Sequence, residues 1–206
     1  SALAPVGVAL GSWLIAGAAA ELWLRAGRTP ARLSRLPRAD WGKAAAHSGL
    51  GVVFIGISCL TAWDVEDIRV ARVGESFDVG GYTITLQGVD RVEGPNYVST
   101  TATMRAVKDG REVAVLHPEK RVYPVAAMPT TEAAIANGLW RDLYVVIGDP
   151  QADGGWAVRT YIKPFANWIW AGAILMAFGG ALSLSDRRYR VAAGARKAPA
   201  LAQPAE

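Results

Sequence analysis

Residues 41–63 read WGKAAAHSGLGVVFIGISCLTAW, and the class of the fold turns on them. Beyond Lys43 the run carries no acid or base except His47. At about 1.5 Å per residue a helix of this length reaches roughly 34 Å, enough to cross a hydrocarbon core of about 30 Å. Trp41 and Trp63 stand at its two ends, where an indole ring favours the membrane–water interface.

Two further runs have the same character. Leu3–Leu24 holds Glu21 as its only charged residue, and Asn167–Ser185 holds none. The latter opens Asn167-Trp168-Ile169-Trp170 and carries Gly172, Gly179 and Gly180, which allow a neighbouring helix to approach closely. Three such runs in 206 residues are too many to bury in one soluble core. The expected fold is therefore membrane α-helical, with three transmembrane helices at about 3–24, 41–63 and 167–185 and a β-rich domain inserted before the third.

Charge is distributed accordingly. Residues 64–163 carry fourteen acids and eleven bases, a net of −3, whereas the rest of the chain nets +7. The basicity thus belongs to segments flanking the apolar runs, and a nucleic-acid partner is not indicated. Arg25, Arg28, Arg32, Arg35 and Arg38 lie between the first two runs, and Arg187, Arg188, Arg190, Arg196 and Lys197 follow the third. The positive-inside rule puts both segments on the cytoplasmic side, and residues 64–166 on the other. The tail 186–206, rich in Ala and with Pro and Gln near its end, is expected to be disordered. The chain opens on Ser1 with no basic segment ahead of its first apolar run. That reads as the C-terminal part of a longer membrane protein, or one product of a split gene, rather than as a signal peptide. The single cysteine, Cys59, excludes an intrachain disulfide and a C-x-x-C motif, and reads as a small apolar residue.

Between the second and third runs the pattern is that of strands. Gly80-Gly81 and Asp109-Gly110 are two-residue hairpin signals, and Asp153-Gly154-Gly155 is a turn. Strands are expected at 76–79, 82–89, 98–107, 111–117, 120–125, 141–147 and 156–162, with one or two turns of helix over Thr130–Asn137. A set of this kind suggests a small antiparallel barrel or sandwich.

His47 is the most informative single residue. An ionisable group inside a membrane span is costly and points to a functional role facing a protein interior. It lies about 9 Å in from the cytoplasmic edge by helical rise. Its surroundings, Ala44-Ala45-Ala46-His47-Ser48-Gly49-Leu50-Gly51, are small enough to admit a flat macrocycle against the backbone, with the imidazole as axial ligand. The competing reading is a histidine hydrogen-bonded to another helix, with the small residues as packing sites. His117, the other histidine, belongs to the outer domain and reads as a surface or hydrogen-bonding residue. No Ser/His/Asp set, phosphate loop or zinc-ligand spacing is present, so no catalytic residue can be named.

His117-Pro118-Glu119-Lys120-Arg121-Val122-Tyr123-Pro124, Met128-Pro129-Thr130-Thr131-Glu132-Ala133-Ala134-Ile135 and Arg141-Asp142-Leu143-Tyr144 together resemble the C-terminal region of the CcmF/NrfE family. So do Tyr161-Ile162-Lys163-Pro164-Phe165 with Trp168-Ile169-Trp170, Asp186-Arg187-Arg188-Tyr189-Arg190, and Trp41-Gly42-Lys43 with Ala46-His47-Ser48-Gly49. The resemblance implies a bacterial inner-membrane protein, the haem lyase subunit that attaches haem to the C-x-x-C-H motif of apocytochrome c, with residues 64–166 periplasmic. It also implies a membrane b-type haem, reduced with electrons from quinol, with His47 as one axial ligand of the haem iron and the second ligand outside this chain. The implied partners are CcmH/CcmI-type proteins, the haem chaperone CcmE, apocytochrome c and the N-terminal portion of CcmF. The family's tryptophan-rich haem-handling segment and its flanking histidines are absent here, so this chain alone is expected to be inactive in attachment. Against the haem lyase component stands a non-catalytic, membrane-anchored docking module for other maturation proteins. A transporter fragment is disfavoured, since the spans show neither a charged pathway nor an inverted repeat.

Overall fold

The computed structural model describes residues 2–125 and 128–186. These residues fall into a helical unit, 5–55 with 168–186, and a β unit, 56–167 with 2–4. The expectation for the tail beyond Asp186 lies outside the described residues.

Helix α1 spans Ala4–Arg25, the single-turn α2 Pro30–Leu33, α3 Arg38–Trp63 and α4 Ala166–Leu184. Three of them, α1, α3 and α4, are long and apolar enough to cross a membrane, and α3 is the most buried of the three. Helix α1 ends because Gly27 takes a left-handed φ of 63°. The Arg28 amide then returns to the Trp23 carbonyl at 3.0 Å and the Gly27 amide to Leu24 at 2.9 Å, satisfying carbonyls the helix leaves open. Pro30 opens α2 at a position where a missing N–H costs nothing.

The helices meet through glycine. Gly42 and Gly49 lie seven residues apart on one face of α3, as Gly179 and Gly172 do on α4, and the two pairs face each other. A Cβ built on Gly49 would sit 2.7 Å from the Gly172 carbonyl oxygen, and one on Gly172 would sit 2.6 Å from that of Gly49. Gly51, on a different face, meets Gly11 of α1 in the same way. Gly180 plays no such part, since a Cβ there would touch nothing within 4 Å. Without a hydrophobic force between helices in lipid, this close backbone approach is the main source of cohesion.

A second tie joins α4 to α3. The Ala39 amide, in the first turn of α3, donates to the Asp186 carboxylate at 3.1 Å, in a buried setting. The carboxylate satisfies an otherwise open helix amide and complements the positive end of the helix dipole. Asp186→Ala should cost about 1.5–3 kcal/mol, the range for a hydrogen bond to a charged group. Thermal unfolding in detergent would read it, with Asp186→Asn losing less.

The β unit is an antiparallel sandwich. One sheet runs β1 (Val65–Ala71), β10 (Trp156–Pro164), β9 (Arg141–Pro150), β8 (Ala134–Ala136). The other runs β2 (Ser76–Val79), β3 (Tyr82–Glu93), β4 (Val98–Lys108), β6 (Glu119–Tyr123), β7 (Met128–Glu132), with β5 (Arg111–Leu116) also pairing β4. Alternation along β3 sends Tyr82, Ile84 and Leu86 inward, opposite Leu143, Val145 and Ile147 of β9 and Val158 and Ile162 of β10. Hairpins form at Gly80-Gly81 and Asp109-Gly110, where every central residue has positive φ, the geometry that matches strand twist. Strand β4 carries two partners in succession because Pro118 interrupts the chain between them. Met104 pairs Leu116 and Thr101 pairs Glu119, while the Pro118 carbonyl accepts from Ala102 at 3.0 Å.

Two departures from the sequence reading stand out. Residues 130–137 are not helical; β7 pairs β6, and β8 pairs β9 in the opposite sheet, so the chain changes sheets at Ala133. Eight residues are too few to hold a helix by themselves, and an open strand edge on each sheet offers pairing instead. Strand β1 begins two residues after α3 ends and pairs along its whole length with β10, from Val65↔Ile162 to Ala71↔Trp156.

Candidate functional site

His47 lies mid-helix on α3 with its ring exposed. Nδ1 is 2.8 Å from the Lys43 carbonyl oxygen one turn earlier. A carbonyl only accepts, so Nδ1 is the donor in this bond, and in the neutral ring Nε2 is then the nitrogen that carries the lone pair. A ring held in this tautomer through a backbone carbonyl is the usual arrangement of a histidine prepared as a metal ligand. Among the described residues, this hydrogen bond lies within α3 itself.

Beside the ring is a shallow hollow of about 120 Å³, lined on α1 by Trp13, Leu14, Gly17, Ala18 and Glu21 and on α3 by Ala44 and His47. Ala18 and Ala44 are buried, and a Cβ at Gly17 would meet nothing within 4 Å, so small residues leave the space open. The stretch 44–51 is thus divided. Gly49 and Gly51 serve helix packing, whereas Ala44 and His47 face the hollow.

One end of the hollow is closed by charge. Glu21 pairs with Lys43 and accepts from Arg25 Nε at 3.0 Å, and Arg25 Nη1 reaches Asp40 at 2.7 Å. Two cations and two anions make a neutral chain one helical turn from His47. All but Asp40 are well exposed in the bare chain, so its strength rests on the low-dielectric surroundings a membrane provides. The sequence reading had each of these residues without their pairing. The available signal was that Glu21 and Lys43, of opposite sign, are the charges nearest the basic boundary of adjacent spans, and intramembrane charges seek partners.

In the β unit His117 is exposed, with Nδ1 3.4 Å from the Thr103 hydroxyl. The neighbouring motif is a structural clasp. Arg121 donates to Glu119 at 2.8 Å and stacks 4.5 Å above the Tyr97 ring, which in turn meets Tyr123 at 5.6 Å. The Glu119 hydrogen bond, and then Tyr123, hold the Arg121 proton more firmly than usual. On β1, in the other sheet, Arg69 donates twice to Asp67, at 2.5 and 2.8 Å, which keeps that carboxyl below the ordinary aspartate range.

A family profile described as the CcmF C-terminal beta-sandwich matches residues 62–164, half of the chain and the whole ladder from β1 to β10. The chain belongs to the CcmF family. Cytochrome c-type biogenesis protein ccl1 of Rhodobacter capsulatus is 69% identical over 189 residues, covering 92% of this chain and 29% of that protein. CcmF of Pseudomonas fluorescens is 47% identical over 170 residues, 82% of this chain and 26% of its own length. NrfE of Haemophilus influenzae is more distant, at 33% over 152 residues, 73% of this chain and 24% of that protein. This CcmF-family chain therefore spans about a quarter to a third of the length of its relatives. A solved structure, "Cytochrome c Heme Lyase CcmF", superposes with a TM-score of 0.66 over 89% of this chain and 34% of that one. At 18% identity that likeness speaks for the fold, three helices with a β-sandwich between the second and third spans, and a barrel is set aside.

Proposed function

We propose that this chain is the C-terminal part of a cytochrome c haem lyase subunit of a bacterial inner membrane, with its sandwich in the periplasm. His47 is then one axial ligand of a membrane b-type haem, the second ligand coming from outside the chain. The observation that carries this reading is the His47 ring itself, exposed within the apolar run of α3 and hydrogen-bonded through Nδ1 to the Lys43 carbonyl, which in the neutral ring leaves Nε2 for a metal. An exposed imidazole at that depth is unfavourable against lipid alone. The residues fit the group chemically, since the imidazole is a ligand for iron and the mostly apolar hollow beside it, floored by Ala18 and Ala44, suits the edge of a flat apolar ring. When bound, the haem supplies one-electron chemistry, with quinol as the donor class. His47 would hold the iron, and the Lys43 carbonyl would raise the basicity of the ring through Nδ1–H.

The sandwich would contact the other maturation proteins, CcmH/CcmI-type proteins, CcmE and the apocytochrome. Exposed Val113, Val115, Val122 and Met128 on the second sheet favour a docking role there, independent of haem.

The test is a reduced-minus-oxidised absorption spectrum of the protein purified in mild detergent with its companion N-terminal portion. A b-type signal in the native protein and less than about a tenth of it in His47→Ala is expected. Equal haem in both, with equal melting temperatures, would remove the ligand role and leave docking as the chain's contribution.

A further inference from the structure

Where the sandwich joins α4, separate segments are locked to one another. The Phe165 amide donates to the Trp140 carbonyl at 2.9 Å. The Asn167 side-chain amide donates to the Gly138 carbonyl at 3.0 Å and to Asp142 Oδ1 at 2.9 Å, and the Gly138 amide reaches the same carboxylate oxygen at 2.9 Å. Phe165 adopts a left-handed φ of 58°, uncommon for a bulky residue, and its ring meets the edge of Trp140 with centroids 5.7 Å apart at 78°. The turn 138–141 is therefore held against the first residues of α4.

That turn presents apolar side chains outward. Leu139 is 68% exposed and Trp140 57%, and Trp63, the last residue of α3, is 60% exposed on the rim of the same hollow as Trp140 and Phe165. What covers them follows from where they are. Trp63 closes one spanning helix and Phe165 immediately precedes another, so the hydrocarbon boundary passes within a turn of both. Trp, with an apolar body and a polar N–H, is the residue type favoured at that depth.

We propose that the Leu139-Trp140 turn, with Trp63, is embedded in the headgroup region of the bilayer and anchors the sandwich on the membrane surface. The occupant of this apolar patch is lipid. The clasp formed by Asn167, Asp142 and Phe165 sets its depth, because it ties the turn to the point at which the chain enters the membrane. The anchor does not depend on haem at His47.

Nitroxide labels on the full protein in nanodiscs test this, in a background with native cysteines replaced. Leu139→Cys and Trp63→Cys report on the patch. Asn96→Cys is the reference, since β3 carries the chain from Tyr82, next to the Gly80-Gly81 turn on the hollow, to Glu93, about 35 Å at strand rise. Power saturation compares collisions with oxygen, which partitions into lipid, against a water-soluble nickel chelate. At 139 and 63 the oxygen-to-nickel ratio should exceed that at 96 at least threefold. A ratio at 139 equal to that at 96 would overturn the anchor in favour of water. Low accessibility to both reagents would overturn it in favour of a protein partner. Leu139 is exposed, so its replacement leaves no cavity in the core, and Trp63→Cys gives an independent reading should one variant misfold.

Discussion

Valine at Gly49 is expected to unseat α4 from α3. The first atom it adds falls 2.7 Å from the Gly172 carbonyl oxygen and 2.7 Å from the Met176 amide nitrogen. Both are helix backbone, which cannot swing aside as a flexible side chain can. The helices must therefore separate by most of an ångström, and the Gly42–Gly179 contact two turns away opens with them. Overpacking of this kind costs about 3 kcal/mol. For a chain of this size that lowers the melting temperature by roughly 6–12 °C. Gly180→Val is the matched control, since nothing lies within 4 Å of its Cβ position. If the two variants melt together, close glycine contact is not what holds the unit.

Asp142→Ala should loosen the elbow that the turn 138–141 makes with residues 165–167. The carboxylate is 2% exposed and one of its oxygens accepts from both the Gly138 amide and the Asn167 side chain. Alanine takes this acceptor from the Gly138 amide and from the part-buried Asn167 side chain, which keeps only its bond to the Gly138 carbonyl, at a cost of about 1–3 kcal/mol. Phe165, which needs support to stay at φ 58°, loses part of that support at the same time. Trypsin should then cut after Arg141 at least tenfold faster than in the native protein. Asp142→Asn keeps an oxygen in place and should stay within a few-fold. An unchanged rate in Asp142→Ala would show that the elbow is held by the β9–β10 pairing alone.

Much of the architecture was legible because it rests on local or composition-level physics. An uncharged run of about twenty residues has few alternatives to spanning a membrane. Gly80-Gly81 and Asp109-Gly110 announce hairpins because few other pairs tolerate the required backbone angles. His47 stood out because its depth makes it costly. Its hydrogen bond to Lys43, four residues earlier, is itself a local event on one helix face.

What was not legible depends on partners distant in sequence. Thr130–Asn137 reads as a short helix until β6 and β9 offer open edges, and pairing then outweighs local preference. The strand after Trp63 has no turn signal of its own and is defined by β10, ninety residues on. Glu21 with Lys43, and Asp186 with the start of α3, are charges whose roles appear only when separate helices meet. The same holds for the glycines. Sequence marked Gly172, Gly179 and Gly180 alike, yet a helix face is chosen by what packs on it, and only the first two meet a neighbour. Sequence by itself determined the three spans, the antiparallel β insert and the histidine to watch. Tertiary structure decided which sheet each short strand joins, which glycines bear contact and where the buried carboxylates bond, because each is an interaction between segments that local preference cannot rank.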